Sequence, residues 1–171
     1  MKKILIDSKR LRLRQACADD VGYILALQEE PENRKFIVPF EEEYHRETIA
    51  DGGNKRMSVI VEERDTGESV GYFMLRCMDT PFIEWTHVII GRKGIGYGRE
   101  ALRLLMSWTF ETKKFHRIWI DCKDYNAVAL HLYESLGFVR EGLLREIIKV
   151  DGVYENLVVF GMLDREFFSR N

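Results

Sequence analysis

The chain lacks long hydrophobic runs, proline-rich stretches and paired cysteines, and each absence excludes a class of protein. Only three of its 171 residues are proline and three are cysteine. Cys17, Cys77 and Cys122 lie far apart without a Cys-x-x-Cys pair, which argues against a disulfide framework and a zinc site. No segment approaches the ~20 apolar residues that cross a bilayer. The first seven residues lack the apolar core of a signal peptide, so we expect a cytoplasmic protein.

The composition is that of one globular domain. Hydrophobic residues make up 46% and charged residues 32% of the chain, and the net charge is −2. That charge gives no general attraction to nucleic acid or to an anionic membrane, so we expect neither as a partner. An anionic ligand must therefore be held by a local site. We predict a single domain over residues 1–171.

Apolar periodicity and turn residues predict a mixed α/β sheet. Alternating segments in the middle of the chain indicate strands next to helices, and Asp151-Gly152 indicates a hairpin near the end. Asp19 and Asp20 are expected to cap the first helix. The predicted strands are 11–14, 57–63, 69–77, 82–90, 117–122, 139–150 and 153–163, and the predicted helices are 19–28, 42–49, 99–109 and 126–136.

A glycine-rich turn, Gly94-Ile95-Gly96-Tyr97-Gly98, joins a predicted strand to a predicted helix. Alternating glycines permit left-handed backbone angles, so that successive N–H groups and the helix start can hold a phosphate. The dinucleotide fingerprint fails at Arg99, and the P-loop fails because Tyr97 stands where lysine is required. Arg92, Lys93 and Arg99 flank the turn and either meet phosphates or are solvated. The glycines alone also fit a mobile loop without a ligand.

Read with its flanks, this turn resembles a motif of the GNAT superfamily of N-acetyltransferases. The superfamily pattern Arg/Gln-x-x-Gly-x-Gly/Ala matches Lys93-Gly94-Ile95-Gly96-Tyr97-Gly98, with lysine in the first position. The segment from Asn126 to Phe138, with Tyr133 and Gly137, is similar to a second and more specific GNAT motif. The beginning and the end of the chain resemble the branch that holds ribosomal-protein and spermidine N-acetyltransferases.

The resemblance implies a GNAT-like domain with a central, mostly antiparallel twisted sheet of about seven strands and about four flanking helices. It also implies acetyl-CoA as co-substrate, Tyr133 as general acid, and cofactor contacts from the glycine turn and the strand before it. Asn126 is expected to bond the pantetheine arm or to cap its helix. The expected acetyl-CoA residues are Val88, Ile89, Ile90, Arg92, Lys93, Gly94, Ile95, Gly96, Tyr97, Gly98, Arg99, Asn126 and Tyr133.

The proton acceptor is expected among the residues of strand 82–90. Glu84 matches a glutamate of the branch, and its apolar neighbours would raise the pKa of the carboxyl group. A solvated edge glutamate is the alternative interpretation. His87 lies on the opposite face by period two, unless a bulge intervenes, and is the reserve candidate. His45, His116 and His131 lack partners at metal spacing, so we expect no metal and place them at the surface or at helix ends.

The acceptor is expected to be a small amine, such as a polyamine, or a protein N-terminus. Six glutamates between positions 29 and 43 would attract a polycation, but they equally fit solvated helix faces. A non-catalytic acetyl-CoA sensor is the alternative function. A homodimer contact through the C-terminal strands and Phe160, Phe167 and Phe168 is also compatible with the sequence.

Overall fold

Eight strands form one continuous, mostly antiparallel sheet in the computed structural model, which describes residues 2–170. The sheet order is β1-β2-β3-β4-β5-β6-β8-β7. The strand that the sequence did not predict is β1, a short edge strand that pairs antiparallel with β2. The strands are β1 (Ile4–Asp7), β2 (Leu11–Gln15), β3 (Met57–Glu63), β4 (Ser69–Arg76), β5 (Phe82–Ile90), β6 (Arg117–Lys123), β7 (Val139–Val150) and β8 (Val153–Leu163).

Six α-helices flank the sheet in the described part of the chain, two more than predicted. The additional helices are short, and Pro31 at the first position of one of them ends the helix before it. Among residues 2–170 no helix is long and apolar enough to span a membrane. The helices are α1 (Val21–Glu29), α2 (Pro31–Arg34), α3 (Glu42–Ala50), α4 (Tyr97–Ser107), α5 (Ala127–Leu136) and α6 (Asp164–Phe168).

The sheet has an apolar core on each face. On one face, α4 and α5 pack on a large cluster that includes Ile83, Trp85 and Phe160. On the other face, α1 and α3 cover a smaller cluster that includes Tyr72 and Ile89. The chain therefore forms three layers, and β5 contributes side chains to both cores.

The parallel pair β5 and β6 is hydrogen-bonded over only part of its length. Pairing runs from Phe82 with Arg117 to Trp85 with Ile120, and beyond that point the two strands have no pairs. Against β4, the register shifts between Trp85 and His87, which makes Thr86 the extra residue of a bulge. The strands separate at this bulge, and the gap between them is where the site lies.

Strand β2, whose sequence alternates apolar and basic residues, contributes Arg14 to a buried ion cluster. Arg14 is 1% exposed, and its guanidinium bonds the Asp20 carboxylate at 2.6 and 2.7 Å and the Glu62 carboxylate at 2.5 Å. The Asp20 side chain accepts from the backbone N–H of Cys17, which is a capping-box bond of the 3-10 turn Ala18–Asp20 that leads into α1, so Asp20 caps the start of this turn and not α1 itself. Despite burial, these bonds lower the pKa of Asp20 to about 2.

The C-terminal hairpin is confirmed, but the predicted dimer contact is partly wrong. Asp151 and Gly152 both have positive φ, at 49° and 85°, as a tight two-residue hairpin turn requires. Phe160 and Phe167 are buried in the core and cannot form a contact surface, whereas Phe168 is exposed. The exposed apolar side chains of the C-terminal hairpin are instead Val139, Leu143, Leu144, Ile147, Val153 and Tyr154.

Candidate active site

A cavity of about 760 Å³ occupies the gap between β5 and β6. Its walls are the ends of these strands, the glycine turn with the start of α4, one face of α5, and the segment from Glu32 to Phe40. Val88, Ile89 and Ile90 line it, as predicted for the cofactor-binding strand. These three residues pair with β4 on one side only, so their main chain borders the cavity on the other side.

The glycine turn presents unpaired backbone donors to this cavity. Gly94 and Gly96 have φ values of 80° and 85°, which L-residues rarely adopt. Gly96 is the N-cap of α4, and no side chain among the described residues caps the helix start. The N–H groups of Tyr97, Gly98 and Arg99 therefore remain open at the positive end of the helix dipole. Such donors fit a diphosphate.

One residue of the predicted cradle is positioned differently from the rest. Ile95 is 49% exposed and does not line the cavity, and its carbonyl accepts from Arg10. Gly94, Gly96, Tyr97, Gly98 and Arg99 all line it. Ile95 therefore contributes the backbone of the turn and no wall of the cavity.

The three predicted cations of the cradle have different partners. Arg92 bonds the carboxylates of Glu63 and Glu68, each at 2.5 Å. Lys93 bonds Glu32 at 3.1 Å and the Asn33 carboxamide oxygen at 2.9 Å. Arg99 donates to the Ser135 hydroxyl at 2.8 Å and forms no ion pair with a residue between 2 and 170. Of the three, only Arg99 brings an uncompensated positive charge to the cavity.

Helix α5 places Asn126 and Tyr133 on the cavity wall. The Asn126 side chain accepts the backbone N–H of Ala129 at 3.2 Å, so it acts as the N-cap of α5. Tyr133 is 5% exposed and packs against Phe138 and Phe160. Burial raises the pKa of its phenol well above the ordinary value, so the hydroxyl keeps its proton at neutral pH.

Strict alternation along β5 would put Glu84 and His87 on opposite faces of the sheet. The bulge at Thr86 brings both side chains to the same face. Glu84 does not line the cavity, and its carboxylate lies 3.9 Å from the Arg76 guanidinium. The catalytic role of Glu84 therefore stays a prediction.

His87 lines the cavity and donates Nε2–H to the Val38 carbonyl at 3.0 Å, which leaves Nδ1 as an acceptor without a partner among the described residues. Burial lowers the pKa of His87 to about 4, so its ring is neutral.

Asp121 is the site residue that the sequence reasoning missed. It lies on β6 one residue beyond the last pair with β5 and lines the cavity. Within residues 2–170 its carboxylate has no hydrogen-bond or ion-pair partner. Burial, and secondarily the negative charge of Glu84, raise the pKa of Asp121 to about 6. No local motif marks this position, because it depends on where the two strands separate.

The remaining histidines show no metal site. In the described part of the chain, no group of three or more His, Cys, Asp or Glu side chains is arranged to hold a metal ion. His45 is fully buried against Tyr72, so its predicted surface position is wrong. His131 is exposed, and His116 bonds Asp164 at the surface.

A splayed parallel strand pair, open amides at a helix start and a buried phenol surround one cavity, and this arrangement fits a ligand that carries a phosphate group. Residues 10–139 match the family model described as the acetyltransferase (GNAT) domain. The chain belongs to this family and is an acetyl-CoA-dependent N-acetyltransferase. Membership of an enzyme family favours catalysis over the sensor alternative.

Relatives and solved structures agree with this assignment. The uncharacterized N-acetyltransferase p20 of Bacillus licheniformis is 27% identical over 94% of this chain and 96% of its own. The spermidine N(1)-acetyltransferase of Vibrio cholerae is 29% identical over 46% of each chain. A chimera of the Vibrio cholerae spermidine N-acetyltransferase SpeG with hSSAT has a TM-score of 0.83 at 26% identity, covering 94% of this chain and 99% of that one. The same Vibrio cholerae enzyme in complex with CoA and spermine has a TM-score of 0.82 at 24% identity, with the same coverage.

Proposed function

We propose that the chain transfers the acetyl group of acetyl-CoA to a primary amine by direct attack of the amine on the thioester carbonyl. The observation that carries the proposal is one cavity with open amides at one end and two proton-transfer groups on its wall. Tyr97 to Arg99 supply the amides, and Tyr133 and Asp121 supply the phenol and the carboxylate. Direct attack requires the two substrates to occupy this cavity together.

The acetyl-CoA end of the cavity is the glycine turn. The N–H groups of Tyr97, Gly98 and Arg99 would hold the diphosphate, and the unpaired guanidinium of Arg99 would add a charge-assisted bond to a phosphate. The main chain of Val88 to Ile90, which has no strand partner on the β6 side, would bond the pantetheine arm and the thioester carbonyl. Arg92 and Lys93 are held by carboxylates and would mainly support the turn.

Tyr133 is the proposed general acid. Amide formation releases a thiolate and leaves an excess proton on the attacking nitrogen, so a proton must move from nitrogen to sulfur. A phenol whose pKa is raised by burial remains protonated until the thiolate forms, and it then donates that proton. The attacking nitrogen loses its excess proton to solvent and the phenolate of Tyr133 regains one from solvent, so that the step amounts to one proton moved from nitrogen to sulfur.

Asp121 is the carboxylate that we propose to meet the amine. A lysine-like ammonium has a pKa near 10.4 and must lose a proton before it attacks. The Asp121 carboxylate lines the cavity without a competing partner, and its pKa of about 6 makes it a better proton acceptor than an ordinary aspartate. The negative charge of Glu84, the residue predicted as the base, favours the protonated form of the Asp121 carboxyl group.

The acceptor class is a primary amine. Relatives named for spermidine N(1)-acetylation match less than half of this chain, which supports a small amine in general and a polyamine only by analogy. A protein N-terminus presents the same reacting group and is the second acceptor that we keep.

The test is Tyr133→Phe, with thiol release measured at saturating acetyl-CoA. We expect kcat to fall by about 10²- to 10⁴-fold, since that is the usual contribution of a general acid. The affinity for acetyl-CoA, measured by calorimetry, should stay within about twofold because the phenyl ring still packs against Phe138 and Phe160. An unchanged kcat would remove Tyr133 from the reaction. If acetyl-CoA binds but none of a broad panel of amines causes thiol release, the proposed activity is refuted.

A further inference from the structure

One side of the cavity, which we call the acceptor pocket, is formed by the segment 36–40 together with residues of β5 and β6. Its walls are Phe36, Val38, Phe40, His87, Asp121 and Lys123. Phe40 stacks on the His87 ring at 4.7 Å. The Gln28 side chain fixes Phe40 further, donating to its carbonyl and accepting its N–H, each at 3.2 Å. The pocket is therefore mainly apolar and aromatic, and hydrogen bonds and ring stacking hold Phe40 and His87 in its wall.

The charged groups at the acceptor pocket are the Asp121 carboxylate, the Lys123 ammonium in an ion pair, and the ammonium of Lys35, which lines the cavity next to Phe36. The Asp121 carboxylate has no partner in the described part of the chain. Lys123 is 2% exposed, and its ammonium bonds the Lys35 carbonyl at 2.9 Å and pairs with the Glu155 carboxylate at 2.7 Å. The Lys35 ammonium lies 4.9 Å from the Phe36 ring centroid. Among the described residues a bound amine would thus meet one unpaired carboxylate, that of Asp121, and one unpaired ammonium, that of Lys35.

The acidic segment from Glu29 to Glu43 does not change this balance. Of its six glutamates only Glu32 lines the cavity, and Glu32 pairs with Lys93 on the glycine-turn side. Glu29 pairs with Arg34, and Glu42 pairs with Arg46, both at the surface. Three of the six glutamates are therefore paired with neighbouring arginines or a lysine, and the other three, Glu30, Glu41 and Glu43, do not line the cavity.

We infer that the acceptor is a primary amine with a single positive charge on an apolar body, held by Asp121, and that the unpaired ammonium of Lys35 disfavours polyamines. This inference rests on the proposed N-acetyltransferase function of the same cavity. One ammonium forms an ion pair with Asp121, and the apolar body packs on Phe36 and Phe40. A further ammonium of a polyamine would find no second unpaired carboxylate on these walls and would be repelled by the ammonium of Lys35. A free monoamine and an apolar N-terminal residue of a peptide share this chemistry.

The experiment compares acceptors by kcat/KM for thiol release at saturating acetyl-CoA. The panel is 2-phenylethylamine, a short peptide with an N-terminal leucine, spermidine and spermine. We expect wild-type kcat/KM for 2-phenylethylamine or the peptide to exceed that for spermidine by about tenfold or more, since one unfavourable charge contact is worth roughly that factor. The ratio between the first two acceptors tells whether the apolar body is a free amine or a chain terminus.

Lys35→Glu tests the cause of the selectivity. Lys35 is exposed, so the substitution should leave folding intact, and it should raise kcat/KM for spermidine relative to 2-phenylethylamine by about tenfold. Lys9→Glu changes the net charge equally, at an exposed lysine outside the cavity, and should leave the ratio unchanged. Preference of the wild type for spermidine or spermine, or an equal response to the two variants, would overturn the inference and leave the proposed function standing. Absence of thiol release with every amine, with acetyl-CoA bound, would instead count against the proposed function.

Discussion

Replacing Asp121 by asparagine should make the protein more stable and less active. Burial, and then the charge of Glu84, raise the pKa of Asp121 from 3.8 to about 6. At about 1.4 kcal/mol per pH unit, the ionised carboxylate destabilises the folded state by up to ~3 kcal/mol. Partial contact with solvent reduces this figure, so we expect Asp121→Asn to raise the free energy of unfolding at pH 8 by about 1–3 kcal/mol.

The pH dependence gives the prediction its sign. The folded state holds the Asp121 proton more tightly than the unfolded state, so this group stabilises the fold fully below pH ~4. That contribution is lost as the pH rises from about 4 to about 6, because the unfolded chain ionises first. The advantage of Asp121→Asn over wild type should therefore be absent at pH 4 and complete above pH ~7.

Urea denaturation at pH 4 and pH 8, together with amine-dependent thiol release, measures both effects. We expect kcat/KM for the amine to fall by about 10²- to 10⁴-fold in Asp121→Asn. Asp65→Asn, at an exposed position in the β3–β4 turn, is the control and should change neither property. Comparable stability of variant and wild type at pH 8 with activity retained would refute the reasoning. Loss of activity in Glu84→Gln alone would assign the base to Glu84.

Three further substitutions test the rest of the site and the fold. Arg99→Ala should weaken acetyl-CoA binding by about tenfold in calorimetry, and Arg92→Ala, whose guanidinium is held by two carboxylates, by less than about threefold. Gly96→Ala forces a φ of 85° on an L-residue and should lower the free energy of unfolding by about 1–2 kcal/mol, whereas Gly142→Ala, at an ordinary φ in β7, should change it by less than ~0.5 kcal/mol. Arg14→Met removes the shared partner of two buried carboxylates, leaving Asp20 with the Cys17 N–H and Glu62 with Lys2 at 3.4 Å, and should cost about 3–5 kcal/mol in urea denaturation; a neutral result would show that they do not depend on Arg14.

The parts of the site that the sequence predicts are those fixed by local backbone chemistry. Gly94 and Gly96 adopt the left-handed angles that their spacing suggests, and the helix after them begins with uncapped amides. Asn126 caps α5, and Gly137 ends it with a φ of 92°, so Tyr133 lies on a helix whose bounds were predictable. Each of these features requires only a few neighbouring residues, which is why a motif can encode it.

The parts that the sequence does not predict depend on contacts between distant elements. Arg14 looks like one of several exposed basic residues on a half-exposed strand, and only Asp20 and Glu62 from other elements make its burial acceptable. Arg92 and Lys93 look equivalent to Arg99 in the sequence, but carboxylates from the β3–β4 hairpin and from α2 neutralise them. Because these partners come from distant parts of the chain, no periodicity or spacing in the segment around the cation predicts them.

The bulge at Thr86 explains why the missed and the predicted residues form one site. One extra residue in β5 ends its pairing with β6, exposes the main chain of the following residues and turns His87 to the face of Glu84. The same separation uncovers Asp121 on the neighbouring strand. Three successive residues here, Trp85, Thr86 and His87, have buried polar side-chain atoms without a partner within residues 2–170. Buried polar atoms are usually satisfied, so this part of the sheet gives up stability at the position where we propose that the substrates meet.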